Sequence, residues 1–287
     1  MDKLPKKMVR EHSAFLKRQR LYEVRFQKLF FRYLRLVYYT AANTIENVGV
    51  DAYMKQILAR QHKTELDSIY RRLYTKVTLD EAAIQEMLLE GAEMAKKDLI
   101  DDISSAFPFT GGAKINIFRQ LLKEYLTIRI GQRITEVTQS TVKFVAEAIE
   151  KGIAEGLGNS QIAKLLREKT DFNKNRALVI ARTETVTASN QGKFMSALSA
   201  NLVYEKRWIP TNQPGRTRRS HLAMLNTPFI DLDEPFLVPS PKLGGGVEVA
   251  RYPGDESLSA GNSVNCRCSI GFRVKRDKEG NPLRRIF

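Results

Sequence analysis

Cysteine is nearly absent from this sequence of 287 residues, with only Cys266 and Cys268 present. One residue separates them, a spacing at which an intramolecular disulfide is badly strained, so a disulfide-stapled secreted scaffold is excluded. Histidine is as scarce, limited to His12, His62 and His221, and Trp208 is the single tryptophan. So few imidazoles confine histidine-based catalysis or metal binding to a handful of positions. No apolar run approaches the ~18 residues of a membrane span. The opening Met1-Asp2-Lys3-Leu4-Pro5-Lys6-Lys7 lacks the apolar stretch that follows the basic residues of a secretory signal. These absences read as a soluble protein made in a reducing cytosol. Acidic residues are also in short supply: 32 Asp+Glu stand against 47 Lys+Arg, a net charge of +15. That excess predicts a polyanionic partner and says nothing about fold.

A hydrophobic fraction of 43% with 28% charged residues is an ordinary globular balance and excludes disorder of the whole chain. The basic excess is unevenly placed. Residues 1–39 hold 11 basic and 3 acidic side chains (+8), residues 40–170 hold 18 of each, and residues 171–287 hold 18 and 11 (+7). Two basic ends flanking a neutral middle favour two contacts with polyanion, or one contact and one basic structural face.

Periodicity predicts a mainly α chain with a C-terminal α+β domain: a helical region over 1–150, a small mixed domain over 151–274 with a Pro/Gly-rich, loop-heavy end, and a basic tail over 275–287. From Ser13 to Tyr39, the residues Tyr22, Phe26, Leu29, Phe30, Tyr33 and Val37 recur every three or four positions and form one apolar face. Arg18, Arg25, Lys28, Arg32 and Arg35 lie on its flank and rear. Three readings stay open for this helix: a core-facing stripe with a solvated back, a cationic side that touches DNA phosphates or an acidic partner, and a membrane-surface helix. Helices follow over Asp51–Leu73 and Leu79–Ile103, the second with Thr78 as N-cap and Glu81 three residues on. Pro108 and Gly111-Gly112 mark a break before a long helix from Lys114 to Lys151. Asn159-Ser160 can cap a short helix Gln161–Lys169, and a further helix runs from Lys174 to Asn190.

Then the composition changes. Residues 203–209 alternate and are rich in strand formers, and seven of the ten prolines fall in residues 210–265. Only a short helical turn near Arg218–Leu225 fits among them. Gly244-Gly245-Gly246 precedes an alternating Val247-Glu248-Val249, and Cys266–Val274 reads as a final strand. The tail Lys275–Arg285 reads as basic and mobile.

The informative residues of the C-terminal third are Arg182-Thr183-Glu184, Asn190, Trp208, Arg216 to His221, Tyr252-Pro253-Gly254-Asp255 and Asn265-Cys266-Arg267-Cys268. In this order they resemble the Mu F-like domain of tailed-phage minor head proteins, the head morphogenesis family, over roughly residues 150–274. The resemblance implies a minor head protein of a tailed bacteriophage, made in the host cytoplasm. It further implies a place inside the capsid near the portal, portal protein and other head proteins as partners, and no cofactor. It marks Arg182, Glu184, Asn190, Trp208, His221, Pro253, Asp255, Asn265, Cys266 and Cys268 as motif residues of structural character.

The residues themselves leave other chemistry to weigh. Arg182 and Glu184 lie about 200° apart around a helix, so each pairs with a different element. Trp208 reads as core, with its indole N–H satisfied. His221, Cys266 and Cys268 are zinc-type ligands, but only three are in view, Cys-x-Cys is not the usual knuckle spacing, and folding would have to bring a fourth such as His62 or Asp255. No metal is therefore assigned, and a hydrogen-bonded or apolar role is preferred. His221 amid Arg216, Arg218 and Arg219 could suit a metal-independent nuclease, but no second acid or base stands out. A cysteine nucleophile would need one of the three histidines. The glycines form no phosphate cradle. No catalytic residue is assigned, and the alternatives to a head protein are a genome-delivered nuclease or toxin-like effector and a cytosolic sequence-independent DNA-binding protein. Double-stranded DNA is the expected polyanion, met through Arg18, Arg25, Lys28, Arg32 and Arg35 at one end and Arg216, Arg218 and Arg219 at the other.

Overall fold

The computed structural model describes residues 6–50, 59–90, 112–200, 202–211, 215–242 and 244–285. Five helices come first: α1 Lys6–Val48, α2 Ala59–Glu90, α3 Gly112–Ala154, α4 Asn159–Arg167 and α5 Thr170–Ser199. The mixed part follows as β1 Tyr204–Ile209, α6 Arg219–Ala223 continued by a 3-10 turn Met224–Asn226, β2 Ile230–Asp231, β3 Phe236–Pro239, β4 Val247–Ala250, α7 Ala260–Ser263 and β5 Ser269–Val274. A helical N-terminal region followed by a small domain with a few antiparallel strands is the predicted class.

Helix boundaries depart from expectation at both local capping signals. Thr78 does not start a helix, because α2 runs through it. Its buried hydroxyl donates to the Ala188 carbonyl of α5 at 3.3 Å. Asn159 and Ser160 lie inside α4 rather than at its cap. Extended Gly158 precedes them, and its N–H donates to the Gln161 side chain at 2.9 Å. α5 runs on to Ser199, past the expected end at Asn190. The expected helix ends in residues 51–58 and 91–103, and the break at Pro108, lie outside the described residues.

The chain forms two compact units that interleave along the sequence. One comprises Glu23–Arg72 and Tyr125–Ala181, the other Met1–Tyr22, Leu73–Glu124 and Arg182–Phe287. Among its described residues the first consists of helices and short turns, with no strand. Phe26, Phe30, Tyr33 and Val37 of the expected apolar stripe are buried in it, and Phe30 meets the Tyr70 ring edge-on with centroids 5.5 Å apart. Arg176 donates to Ser140 and Thr141 and covers the Phe144 ring at 4.7 Å.

The second unit holds every strand among the described residues. Its antiparallel sheet has the order β2-β1-β5, with Trp208 opposite Ile270, and β3 and β4 form a separate hairpin. Trp208, Phe194, Tyr204, Met224, Phe236, Tyr252, Cys266 and Cys268 share one hydrophobic core with Ile270. Alternation in β1 predicts one buried face, yet nearly all of the strand is buried. Lys206 shares the core face of Tyr204 and Trp208. Its ammonium donates to the Arg251 carbonyl at 3.1 Å and lies 5.0 Å from the ring centres of both Phe194 and Phe236. Burial lowers its pKa to about 8. The tail, expected to be mobile, folds back as a turn: Lys275 N–H donates to Val203 O, Val203 N–H to Leu283 O and Leu283 N–H to Lys275 O.

Candidate functional site

The second unit is organised around α5, whose residues 183–196 have few apolar side chains at helical spacing yet are almost wholly buried. A buried polar helix face must find hydrogen-bond partners, and this one finds them in backbone. Asn190 is the centre. Its side-chain amide donates to the carbonyls of Cys268 (2.9 Å) and Pro253 (3.0 Å), and its oxygen accepts from Ile270 N–H (3.0 Å). Cys268 O and Ile270 N sit on the β5 edge turned away from β1, so Asn190 supplies the donor and acceptor that another strand would supply. One turn later, Lys193 donates to Ile270 O at 2.5 Å. Burial lowers its pKa to about 8.

The Pro-Gly-Asp turn is fixed to the same helix. Thr187 Oγ1 donates to Gly254 O at 3.0 Å, and at φ +84 Gly254 approaches so closely that a Cβ would lie 2.7 Å from Thr187 Oγ1. Asp255 is used up within the turn, accepting from the Arg251 backbone and guanidinium and from Ser257. Burial acts to raise its pKa, but Arg251 and the two backbone N–H donors outweigh it and hold the carboxyl below its ordinary range. As expected, Arg182 and Glu184 face different elements: Arg182 donates to Asn265 Oδ1 at 2.6 Å, and Glu184 accepts from the buried Tyr74 hydroxyl at 2.7 Å.

Asn265 takes φ 60, the one positive φ among the described non-glycine residues. It is held there by its N–H to Thr183 Oγ1 (2.9 Å) and by Arg182. Cys266 and Cys268 follow. Cys268 N–H donates to Cys266 Sγ at 3.3 Å, and His221 of α6 brings Nδ1 to 3.3 Å from Cys268 Sγ and 3.7 Å from Cys266 Sγ. All three are buried, and their ligand-type atoms lie within 4.8 Å of one another. Trp208 meets the His221 ring at 5.5 Å, but its indole N–H, expected to be satisfied, is buried with no hydrogen-bond partner among the described residues. A Cys268 S–H bond and His221 push the Cys266 thiol well below its ordinary pKa against the effect of burial, while burial pushes Cys268 up. His221 Nε2 is buried with no hydrogen-bond partner among the described residues. The sequence offers Asp255 and His62 as fourth members. Asp255 is committed to Arg251 and Ser257, and the His62 side chain lies outside the described residues. A cleft of about 30 Å3 opens beside the cluster, bordered by Thr211, Arg216, Arg218, Asn265 and Arg267.

The arginines nominated for DNA divide. Arg18 is removed from the set, because its guanidinium makes a two-point ion pair (2.8 and 2.9 Å) with fully buried Glu81. Arg218 is committed as well, donating to Val264 O. Arg25, Lys28, Arg32 and Arg35 are exposed along one side of α1, with Arg35 over the Tyr39 ring, and Arg216 and Arg219 are exposed around α6. Sequence reasoning missed Thr187 and Lys193. The signal available for them was a mid-helix run of polar residues with no apolar stripe.

A polar helix that anchors a Pro-Gly-Asp turn and an Asn-Cys-Arg-Cys segment beside a small antiparallel sheet defines the class, and the match to known proteins falls on the same stretch. Residues 143–271 match the family described as phage Mu protein F like protein. Three curated relatives are the uncharacterized protein YqbB of Bacillus subtilis (strain 168), 25% identical over 67% of this chain; the NAD(+)--arginine ADP-ribosyltransferase EFV of Enterococcus faecalis (strain ATCC 700802 / V583), 29% over 54%; and the minor head protein GP7 of Bacillus phage SPP1, 30% over 45%. The chain spans 58%, 32% and 40% of their own lengths, under two thirds in each case. No solved structure matches. No helix among the described residues is long and apolar enough to cross a membrane.

Proposed function

We propose that this protein is a non-enzymatic minor head protein of a tailed bacteriophage, held in the capsid interior near the portal, in contact with portal protein and packaged DNA. The observation that carries the reading is the phage Mu F-like match over residues 143–271, supported by similarity to a protein named as a phage minor head protein. The charge distribution supports the DNA contact. Lysine and arginine displace counterions along phosphates without reading bases, which suits a protein lying against any packaged sequence. Arg25, Lys28, Arg32 and Arg35 form the first cationic stripe, and Arg216 and Arg219 belong to the second basic region.

Mass spectrometry of gradient-purified virions tests the placement, and absence of the chain from particles would sink it. Duplex-DNA binding tests the polyanion contact. Reversing Arg25, Lys28, Arg32 and Arg35 to glutamate should reduce the slope of log affinity against log salt by about 3 to 4, at roughly 0.9 per phosphate contact. An unchanged slope removes that stripe from the DNA-facing surface.

A second reading, a delivered effector enzyme, is favoured by the relative named as an arginine ADP-ribosyltransferase. The match covers 32% of that protein, so the activity in its name is not tied to the matched part. NAD+ turnover in the presence of arginine, and DNA and RNA cleavage with and without chelator, decide between the readings. Turnover abolished by His221→Ala would make the protein an enzyme.

A further inference from the structure

We propose that His221, Cys266 and Cys268 bind one zinc ion, which cross-links α6 to the segment entering β5. The proposal is independent of the head-protein reading and rests on the geometry of the cluster. A tetrahedral zinc with Zn–S near 2.3 Å and Zn–N near 2.0 Å sets its sulfur and nitrogen ligands about 3.5 Å apart. The observed separations from His221 Nδ1 to the two sulfurs are 3.3 and 3.7 Å, and the ligand atoms of all three residues fall within 4.8 Å. A close Cys-x-Cys pair needs a turn, since two residues of extended chain carry side chains of one face too far apart to converge on one ion. The turn is present: positive-φ Asn265 precedes the pair, and Cys268 N–H closes onto Cys266 Sγ.

The surroundings hold each ligand before any ion arrives. Asn265 is tied to Thr183 and Arg182, Cys268 O to Asn190, and α6 to α7 through Ser220 Oγ donating to Asn262 Oδ1 at 2.8 Å. Fixed ligands lose little freedom on binding, and three protein ligands leave the fourth position of a tetrahedral zinc to water. Two thiolates and a neutral imidazole also make the zinc complex electrically neutral, so the nearby Arg216, Arg218 and Arg267 do not oppose it. Among the described residues no fourth protein ligand is in reach. The cleft of about 30 Å3 beside the cluster has room for a water-sized fourth ligand. The residues joined are 45 and 47 apart in sequence, so the ion closes a long, proline-rich connection whose regular elements are all short.

The full chain, purified under reducing conditions, saturated with zinc and passed through a desalting column, should carry one zinc per chain by elemental analysis. With cobalt(II) in place of zinc, the same chain should show the visible absorption of a tetrahedral site together with a thiolate-to-cobalt charge-transfer band. Both signals should be lost in Cys266→Ser and Cys268→Ser and weakened in His221→Gln. Substoichiometric zinc and no charge-transfer band in the wild-type chain, with Trp208 fluorescence showing it folded, would overturn the proposal without reference to any variant. A band that persists in the cysteine variants would overturn it too, by placing the ion elsewhere.

Discussion

Replacing Asn190 by alanine probes the point on which the sheet, the Pro-Gly-Asp turn and the Cys-x-Cys segment converge. The substitution removes three hydrogen bonds of 2.9 to 3.0 Å and leaves Ile270 N–H, Cys268 C=O and Pro253 C=O facing a small void at a fully buried position. Each buried backbone group left without a partner costs about 1–3 kcal/mol, for a total of about 3–9 kcal/mol if the three acted independently. They share one side chain, and a water entering the void would recover part of the loss, so about 4 kcal/mol is the expected destabilisation. Asn190→Asp sharpens the test. It keeps the acceptor for Ile270 N–H but sets carboxylate oxygen against two carbonyls, so it should destabilise at least as much as alanine despite its matching shape. Trp208 is the single tryptophan and lies in the same compact unit, so its fluorescence in a urea titration reports the relevant transition. A midpoint shift at unchanged denaturant slope is the expected form. An alanine variant within about 1 kcal/mol of wild type would refute the idea that Asn190 completes the β5 edge.

His12 gives a prediction in pH. Burial and Lys193 lower its pKa from 6.5 to about 4, and its ring nitrogens pair with Ser269 and Thr211, so it folds neutral while the unfolded chain takes up a proton. Its contribution is complete above the unfolded pKa and is lost as pH falls from 6.5 towards 4, costing about 2 kcal/mol between pH 7 and pH 5. Denaturation curves at both values should show that part of the pH dependence vanish in His12→Gln. Arg18→Met strands the buried Glu81 carboxylate and should cost about 3–5 kcal/mol, whereas Arg18→Met combined with Glu81→Leu should recover much of it. Equal losses in the single and double variants would show that the ion pair is not what matters there. Gly192→Ala would place a Cβ 2.4 Å from the Thr78 carbonyl. The strain of about 1–3 kcal/mol from overpacking should exceed the roughly 1 kcal/mol gained in helix propensity, and a higher melting temperature would contradict the close approach of α5 to α2.

The helices, β1, the position of Trp208 in the core and the order of the motif residues were legible because each depends on local periodicity or on residue types in sequence. The charge distribution was legible as well, since it needs only counting. Thr78 shows where that ends. A threonine with an acidic residue three positions on looks the same whether it opens a helix or sits within one, and only the carbonyl of Ala188 on α5 determines what the hydroxyl does. Lys206 and Arg18 make the same point for charge. Helical projection sets Arg18 towards solvent, but it is held by Glu81, and alternation puts Lys206 on the face of Tyr204 and Trp208 without showing that Phe194 and Phe236 would enclose its charge.

By itself the sequence determined the fold class, the family resemblance and the identity of three zinc-type ligands too few to assign a metal. Tertiary structure alone decided that His221 meets two cysteines 45 and 47 residues away, that Asn190 serves as a strand edge, and which cations stay free on the surface. The reason is physical. Propensity and period act over a few residues, whereas a buried polar group is satisfied by whatever distant backbone or side chain the packing brings within about 3 Å.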